Sequence, residues 1–159
     1  MTELLLAGTV STPLYAVLSF DGRRLLLPQA EIRSLEPLLD VQAALAEFPG
    51  SVGAILFEGE RWPVYGVDRE LALLDAPPPT RRVCVMLSLG DGYLGLLCDQ
   101  IAPFGSSNPA LQPLPACMAR PDSPVHALVV YEGEIGVVTT TVRLWAFLQD
   151  ASGAERVYG

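Results

Sequence analysis

The chain has 159 residues, half of them hydrophobic, which is enough for one domain with a buried core or for two small, closely packed subdomains. Its ten basic residues, all arginine, are outnumbered by 18 acidic residues, and the formal net charge of −8 argues against a nucleic-acid partner because phosphates would be repelled. The three cysteines, Cys84, Cys98 and Cys117, form no Cys-x-x-Cys pair, so they indicate a reducing cytoplasm rather than a disulfide framework or a zinc site.

Residues 1–13 are treated as a separate N-terminal segment that contains the apolar run Leu4–Val10. This run is not preceded by Lys or Arg, as an export signal would be, and it is shorter than the roughly 18 apolar residues that suggest a membrane span. No other stretch of the sequence approaches that length. The run is therefore interpreted as a docking strand or a loose end, and no insertion into a membrane is expected.

Four β-hairpins are predicted from pairs of apolar runs that flank short turns. Two of them have Asp-Gly turns, at residues 21–22 and 90–92. The other two have Glu-Gly-Glu turns, at residues 58–60 and 132–134, and a short stretch with helical spacing follows each of these, over residues 67–71 and 142–148. The order of hairpin, hairpin and helical stretch thus occurs twice, which predicts two similar β units in tandem.

The two predicted units are divided near residues 76–80, where three prolines favour a stiff, extended connector. Together they form a single predicted domain over residues 14–150, followed by a C-terminal tail over residues 151–159. The stretch 103–124, rich in Pro, Ser and Asn, is predicted to be a long surface connection with one helical turn near residues 116–118. Many short strands closed by glycine turns favour barrels or a sandwich over a parallel sheet with crossover helices.

The strands predicted around the second Asp-Gly turn, 83–87 and 94–98, are apolar on both faces, so we expect them to be buried on both faces or to have one face at an interface. A three-residue loop over 90–92 would place Cys84 opposite Cys98, whereas a two-residue loop would offset them by one position. In either case the two cysteines are predicted to lie on adjacent antiparallel strands and to stay reduced.

Groups that could perform catalysis are scarce in this sequence. The single histidine, His126, has no evident partner acid or nucleophile, so a structural or surface role is preferred over a catalytic or zinc-binding one. The acid pairs at residues 58–60 and 132–134 lie at turns, where charge normally faces solvent. The glycine turn at residues 90–92 lacks the following helix and the lysine of a phosphate-binding loop. The sequence therefore predicts a protein that is not an enzyme, with no catalytic residue, cofactor or metal site.

Taken in order, the hairpins at residues 15–27, 53–64 and 83–98, with Pro63, Asp99 and the terminal strand and helix at 135–148, resemble the CheW-like domain of chemotaxis coupling proteins. The resemblance implies a mainly β fold of two tandem five-stranded SH3-like barrels packed together, with short helices. It further implies a non-catalytic signalling adaptor. Such an adaptor couples a chemoreceptor tip, or a pilus-linked or related array component, to a CheA-type histidine kinase or to a dedicated partner.

One short segment departs from the pattern of that family. Where the family typically has Asn-Leu-Arg-Gly, this chain has Leu56-Phe57-Glu58-Gly59. A carboxylate in place of the arginine removes its hydrogen-bond donors and reverses the sign of the local potential. We therefore expect weak or no binding to a conventional kinase–receptor pair, and a dedicated partner that presents a basic or neutral surface there. The competing interpretation is that Glu58 is only a solvated turn residue.

The residues predicted to contact the partner are Ile55, Leu56, Phe57, Glu58 and Trp62, since aromatic anchors commonly dominate interfaces. A core role for the aromatic residues is the competing interpretation. The alternative function is a small-ligand-binding β-barrel or a minor enzyme with its site near Trp62 and Tyr65. A deep pocket with convergent polar groups would favour that alternative, whereas a shallow apolar groove between the two units would favour the adaptor.

Overall fold

The computed structural model describes residues 14–42, 48–104, 110–117, 123–131 and 133–158. The predicted segment 1–13 and Glu132 of the fourth turn lie outside these residues. The described fold is mainly β, as the sequence predicts, with one α-helix, α1 (Thr141–Tyr158). In chain order the strands are β1 (Tyr15–Phe20), β2 (Arg23–Pro28), β3 (Ile32–Pro37), β4 (Gly53–Phe57), β5 (Glu60–Tyr65), β6 (Val83–Leu89), β7 (Gly92–Cys98), β8 (Gln100–Pro103), β9 (Gln112–Pro113), β10 (Ala127–Tyr131) and β11 (Glu134–Val138).

The strands form two sheets. The first has six strands in the order β8-β1-β2-β11-β10-β9, and the second has five in the order β3-β6-β7-β5-β4. Neighbouring strands are antiparallel except at two places, where β11 runs parallel to β2 and β5 runs parallel to β7. Each sheet is therefore built from two hairpins that meet through a parallel contact, with the remaining strands at the edges.

Each sheet takes strands from both sides of the proline-rich connector at residues 76–80. The hairpin β1–β2 joins the late hairpin β10–β11, and the hairpin β6–β7 joins the earlier hairpin β4–β5. The prediction of two β units is thus confirmed at the level of two sheets, but these sheets are not successive halves of the chain. The reason is physical: the pairing within a hairpin is local and visible in the sequence, whereas the pairing between hairpins is decided by long-range packing.

The tight turns of the first two hairpins have the geometry that their sequences predict. Asp21 and Gly22 have φ angles of 51° and 80°, and Glu58 and Gly59 have φ angles of 52° and 85°. Two successive residues in the left-handed region are typical of a type I′ turn, whose twist matches that of the flanking strands. The turn chemistry therefore fixes the register of both hairpins.

The loop between β6 and β7 determines where the cysteines lie. Leu89 pairs with Gly92, so the loop has two residues, and Cys84 pairs with Leu97 rather than with Cys98. The two cysteines lie on adjacent antiparallel strands, as predicted, but the offset of one residue points their thiols to opposite faces of the sheet. Both are free and buried, and burial raises the pKa of each thiol to about 12, so each is a neutral, apolar group at physiological pH.

The strands β6 and β7 form the centre of the molecule. Their residues 84–87 and 94–98 are buried on both faces, as their sequences predict. The main core lies between the two sheets, and Leu144 and Leu148 of α1 close it. Smaller apolar clusters cover the other face of each sheet. The fold therefore depends on side chains from both sheets that meet on β6 and β7.

The first turn of α1 is held by two caps. The hydroxyl of Thr140 accepts a hydrogen bond from the backbone N–H of Arg143 at 3.3 Å. The carboxylate of Glu31, which precedes β3, accepts hydrogen bonds from the backbone N–H and the hydroxyl of Thr141, both at 2.7 Å. A negative charge at this end also interacts favourably with the helix dipole. The helix predicted over residues 142–148 is thus confirmed.

The helical stretch predicted over residues 67–71 is not formed. The carboxylate of Asp68 accepts hydrogen bonds from the backbone N–H groups of Glu70 and Ala72, at 2.8 and 3.0 Å. Leu71 has a φ angle of 67°, outside the range of a right-handed helix. The prediction was wrong because an aspartate side chain can satisfy nearby backbone donors in a turn as well as at a helix start.

Candidate protein-binding site

An open, apolar groove lies between edge strands of the two sheets. One wall is β8, at the edge of the six-stranded sheet, and the other is β3, at the edge of the five-stranded sheet. The groove has a volume of about 310 Å³ and is lined by Ala16, Gln29, Ile32, Leu35, Ile101, Ala102 and Pro103. A second hollow of about 360 Å³ adjoins it and is lined by Leu14, Pro28, Gln29 and Ala30. Only Gln29 among these residues has a polar side chain.

A bulge in β3 creates the apolar wall on that side. Ile32 and Leu35 are three positions apart and would face opposite ways in a regular strand. In the pairing with β6 the register shifts between Ile32 and Ser34, so Ile32 pairs with Leu87 and Leu35 pairs with Val85. Because Leu87 and Val85 point to the same face, Ile32 and Leu35 do so as well. The spacing of residues does not reveal this bulge, and the groove residues are therefore not among those predicted from the sequence.

The outer edges of both walls lack a strand partner among the described residues. β8 pairs with β1 over four positions and ends at Pro103, which has no N–H to donate to a ladder. On the opposite wall, Leu35 is 51% exposed. Exposed edges with apolar side chains are surfaces that an added chain segment can cover. A shallow apolar groove of this kind is the feature expected of an adaptor rather than of a ligand-binding barrel.

A buried arginine holds the two sheets together. The side chain of Arg81 has no solvent exposure, and its guanidinium donates hydrogen bonds to the Asp21 carboxylate at 2.8 and 3.0 Å, to Asp99 at 3.1 Å and to the carbonyl of Val67 at 2.9 Å. It also lies 5.2 Å from the ring centroid of Phe20. Asp21 belongs to the turn after β1, and Asp99 follows β7. Arg81 therefore connects the six-stranded sheet to the five-stranded sheet.

This ion pair predicts a specific dependence of stability on pH. The hydrogen bond from Arg81 lowers the pKa of Asp21 below its usual value of 3.8. Because the pKa is lower in the folded state than in the unfolded state, the interaction stabilises the fold above about pH 4, and the stabilisation is lost as the pH falls through the folded-state pKa. We expect the difference in unfolding free energy between wild type and Asp21→Asn to be largest at neutral pH and to vanish in acid.

Urea unfolding of both proteins between about pH 7 and pH 2 measures that difference. Asparagine tolerates the left-handed conformation of the Asp21 position, so the turn itself is not strained by the substitution. The control is the same pair of proteins in an Arg81→Met background, where the pH dependence of the difference should disappear. A difference that stays constant with pH would show that the ion pair does not control the titration of Asp21.

The five residues predicted to contact a partner lie on the β4–β5 hairpin, but their side chains are not on one face. Ile55 is 2% exposed and belongs to the apolar cluster on the outer face of the five-stranded sheet. Phe57 and Trp62 are partly buried against the same cluster, and the Trp62 indole N–H donates to the carbonyl of Phe57 at 3.0 Å. Leu56 points away from the cluster and is 69% exposed. Of the five residues, Leu56 and Glu58 are therefore the two whose side chains are most available to a partner.

Glu58 is exposed, but it has partners within the chain. One carboxylate oxygen accepts hydrogen bonds from Arg33 at 3.1 and 3.2 Å, and the other accepts one from the Tyr93 hydroxyl at 3.0 Å. The Tyr93 ring packs edge-on against Phe57 and Trp62, with centroid distances of 5.0 and 5.4 Å. The hydrogen bonds from Tyr93 and Arg33 lower the pKa of Glu58. The local charge that a partner would meet is thus a carboxylate partly neutralised by an arginine.

The groups considered for catalysis give no assembled site within the described residues. No cluster of three or more His, Cys, Asp or Glu side chains there could hold a metal ion. Burial and the nearby charge of Arg143 lower the pKa of His126, which is therefore neutral at pH 7. In the same part of the chain, no helix is both long enough and apolar enough to span a membrane.

The two sheets each take strands from both sides of residues 76–80, and α1 closes the core between them. This arrangement defines a CheW-like fold. Among solved structures, the fold is similar to that of the scaffolding protein TtCheW from Thermoanaerobacter tengcongensis, with a TM-score of 0.65 over 80% of this chain and 88% of that chain. The sequence identity is 14%, so the likeness concerns the fold. No protein-family model matches the sequence, and no curated protein matches it. The resemblance inferred from the sequence is confirmed for the fold.

Proposed function

We propose that this protein is a non-catalytic adaptor that binds other proteins through the groove between β3 and β8. The observation that carries this proposal is the groove itself, whose open apolar surface combines edge strands of both sheets. The likeness to a protein named as a scaffolding protein supports the same function. The proposal includes two SH3-like barrels built on the two sheets, a single domain over residues 14–150, and action in the cytoplasm.

The proposed partners are a CheA-type histidine kinase, a chemoreceptor tip or a pilus-linked or other array protein. The groove requires an apolar segment from such a partner, because a charged side chain would lose hydration there without gaining an opposite charge. The net charge of −8 makes a partner with a basic or neutral rim the better match. An apolar centre surrounded by complementary charge is the usual anatomy of a specific interface.

A charge introduced into the groove is expected to weaken partner binding at least about tenfold. Leu35→Asp places a carboxylate on the wall of the groove, and the fold should tolerate it because Leu35 is already half exposed. Leu39→Asp is the matched control, since Leu39 is 93% exposed and does not line the groove. Isothermal titration with a candidate kinase regulatory domain or receptor tip measures both variants. Equal loss in the two variants, or no loss in Leu35→Asp, would remove the groove from the proposal.

The β4–β5 hairpin is proposed as a second contact surface, with Leu56 and Glu58 at its centre. The acidic side chain at position 58 is expected to oppose a kinase surface that normally meets arginine, and like-charge opposition at an interface costs several kcal/mol. Wild type should therefore bind a standard CheA regulatory domain weakly, and Glu58→Arg should bind it more tightly. Because Glu58→Arg would also face Arg33, the double variant Arg33→Glu/Glu58→Arg keeps an ion pair at this position.

Titration of a CheA regulatory domain against wild type, Glu58→Gln and the charge-swapped double variant separates two explanations. If the carboxylate repels the domain, affinity rises in the order wild type, Glu58→Gln, double variant. Tight binding by wild type that none of the substitutions changes would show that Glu58 is not at the contact and that no specialised partner is needed. Circular dichroism checks that each variant keeps the wild-type fold.

The alternative function as a small-ligand or catalytic barrel is less well supported by the Trp62 and Tyr65 neighbourhood. The indole N–H of Trp62 already donates to the carbonyl of Phe57. Tyr65 is 2% exposed, and its hydroxyl accepts a hydrogen bond from Gln149 at 3.2 Å. Burial raises the pKa of Tyr65, so its hydroxyl stays protonated at neutral pH. The polar groups that a ligand would need are therefore engaged within the protein.

A further inference from the structure

The segment between β2 and β3 faces the groove on one side and α1 on the other. A short 3-10 turn, Gln29–Glu31, connects the two strands. Gln29 and Ile32 line the groove, since residues three positions apart in such a turn face the same way. The carboxylate of Glu31 instead accepts hydrogen bonds from the backbone N–H and the hydroxyl of Thr141, both at 2.7 Å. The Glu31 side chain therefore joins the wall of the groove to the first turn of α1.

The contact between Glu31 and Thr141 is short and shielded from water. Thr141 is 1% exposed, and Glu31 is half-buried. Hydrogen bonds to a charged acceptor are shorter and stronger than those between neutral groups, and a negative charge is favourable at the start of a helix. Without this carboxylate, two buried donors of Thr141 would lose their acceptor. The contact therefore fixes the turn and the start of α1 relative to each other.

On the groove side, the turn is held by contacts near the surface. The N–H of Gln29 donates to the carbonyl of Leu14 at 2.8 Å, and its side-chain amide donates to the carbonyl of Tyr15 at a longer 3.4 Å. Leu14 itself is 53% exposed. On the other side, Ile32 packs against the core that Leu144 of α1 helps to form. A displacement of the start of α1 therefore loosens the wall of the groove.

We propose that Glu31 is a positioning residue for the groove, which holds the wall in place by binding the start of α1. The first turn of α1 has two states, docked on Glu31 and open, and the docked state is the one in which the wall is ordered. Docking of α1 and binding in the groove therefore favour each other, because coupling between two sites is reciprocal. The coupling of helix and wall needs no partner, while its effect on binding rests on the proposed function.

Amide hydrogen exchange measured by NMR tests the coupling without any partner, because it reports local opening residue by residue. Thr141→Val removes the hydroxyl that donates to Glu31 and changes no residue that lines the groove. The amides of Gln29 and Ile32, on the wall, are expected to exchange at least about fivefold faster in this variant than in wild type. In a Glu31→Met background, Thr141→Val should add no further increase, because the acceptor is already gone.

Two control variants separate this coupling from a general loosening of the protein. Thr141→Ser keeps both donors to Glu31 and should exchange like wild type. Gln149→Met removes the hydrogen bond of α1 to the Tyr65 hydroxyl, further along the helix, and should leave the wall amides unchanged. Wild-type exchange of these amides in Thr141→Val would overturn the proposal. An equal increase in Gln149→Met, or an increase by the same factor throughout β6 and β7, would also overturn it.

Binding of a partner forms a separate arm of the experiment. Thr141→Val is expected to weaken the binding of any partner that Leu35→Asp weakens, by at least about fivefold, and saturation with that partner should slow exchange of the Leu144 amide in wild type by a similar factor. If the exchange arm succeeds and no partner is found, the coupling stands and the adaptor function fails. If a partner binds wild type and Thr141→Val through the groove with equal affinity, Glu31 does not position the groove for binding and this inference is overturned.

Discussion

Replacing Arg81 with methionine is expected to lower the free energy of unfolding by about 3 kcal/mol. The substitution keeps an unbranched apolar side chain but removes the guanidinium, so Asp21 and Asp99 face each other without a cation and the Val67 carbonyl loses its donor. The Asp21 and Asp99 side chains are 36% and 26% exposed, so the loss comes mainly from the missing hydrogen bonds, the unpaired Val67 carbonyl and the repulsion between two uncompensated carboxylates. Urea unfolding followed by tryptophan fluorescence measures the change.

Two further variants test whether the loss of stability is specific to Arg81. Arg82→Met applies the same change to the exposed neighbour and should shift stability by no more than about 0.5 kcal/mol. The triple variant Asp21→Asn/Arg81→Met/Asp99→Asn removes all three charges and should recover at least half of the loss, because no uncompensated charge remains. Stability of Arg81→Met within error of wild type would show that the ion pair does not hold the sheets together.

The position of Arg81 also links stability to the proposed binding site. The groove exists only where an edge of one sheet stands beside an edge of the other. Because Arg81 and the core around β6 and β7 fix the two sheets relative to each other, the walls of the groove are held in place before a partner binds. A preorganised groove loses less conformational entropy on binding than one that must first assemble. Arg81 therefore supports the walls of the proposed binding groove without lining it.

The local parts of the fold were predictable from the sequence. Apolar runs on either side of Asp21-Gly22 and Glu58-Gly59 predicted the hairpins correctly. The residues that adopt the left-handed turn conformation and the strands that flank them lie within about ten residues of one another in the sequence. The terminal helix was predictable from the helical spacing of its apolar residues. The burial of β6 and β7 was predictable from their continuous apolar runs. These features depend on neighbours in the sequence and need no knowledge of tertiary contacts.

The candidate site was much less predictable, because it depends on contacts between distant residues. Arg81 follows three prolines and has the sequence surroundings of an exposed linker residue, yet it pairs with Asp21, which lies 60 residues away. The apolar wall at Leu35 depends on a bulge in β3 that spacing does not reveal. Ile55 was placed on a partner surface, but the packing of the β4–β5 hairpin against the five-stranded sheet buries it. In each case tertiary packing, and not local preference, decides the outcome.

A methyl group at Gly95 is expected to lower the free energy of unfolding by about 2 kcal/mol. Gly95 lies in the middle of β7, where it pairs with Met86 on one side and with Val64 on the other. A Cβ atom at this position would stand 2.6 Å from the Cys84 sulfur and 3.0 Å from a methyl carbon of Val64. These distances are shorter than van der Waals contact, and in a densely packed centre the neighbours have little room to move.

Thermal and urea unfolding of Gly95→Ala, compared with Gly66→Ala, measures this close packing. Gly66 is buried too, but a Cβ atom there would meet its nearest neighbours, methyl carbons of Leu74 and Val52, at an ordinary 3.6 Å, so this variant should stay close to wild type. Cys84→Ala removes the sulfur that overlaps most, and in that background Gly95→Ala should cost only about 1 kcal/mol because the Val64 contact remains. Equal costs of Gly95→Ala with and without the Cys84 sulfur would show that the overlap is not the cause. Equal costs at Gly95 and Gly66 would show that the centre of β7 is packed no more tightly than the rest of the core.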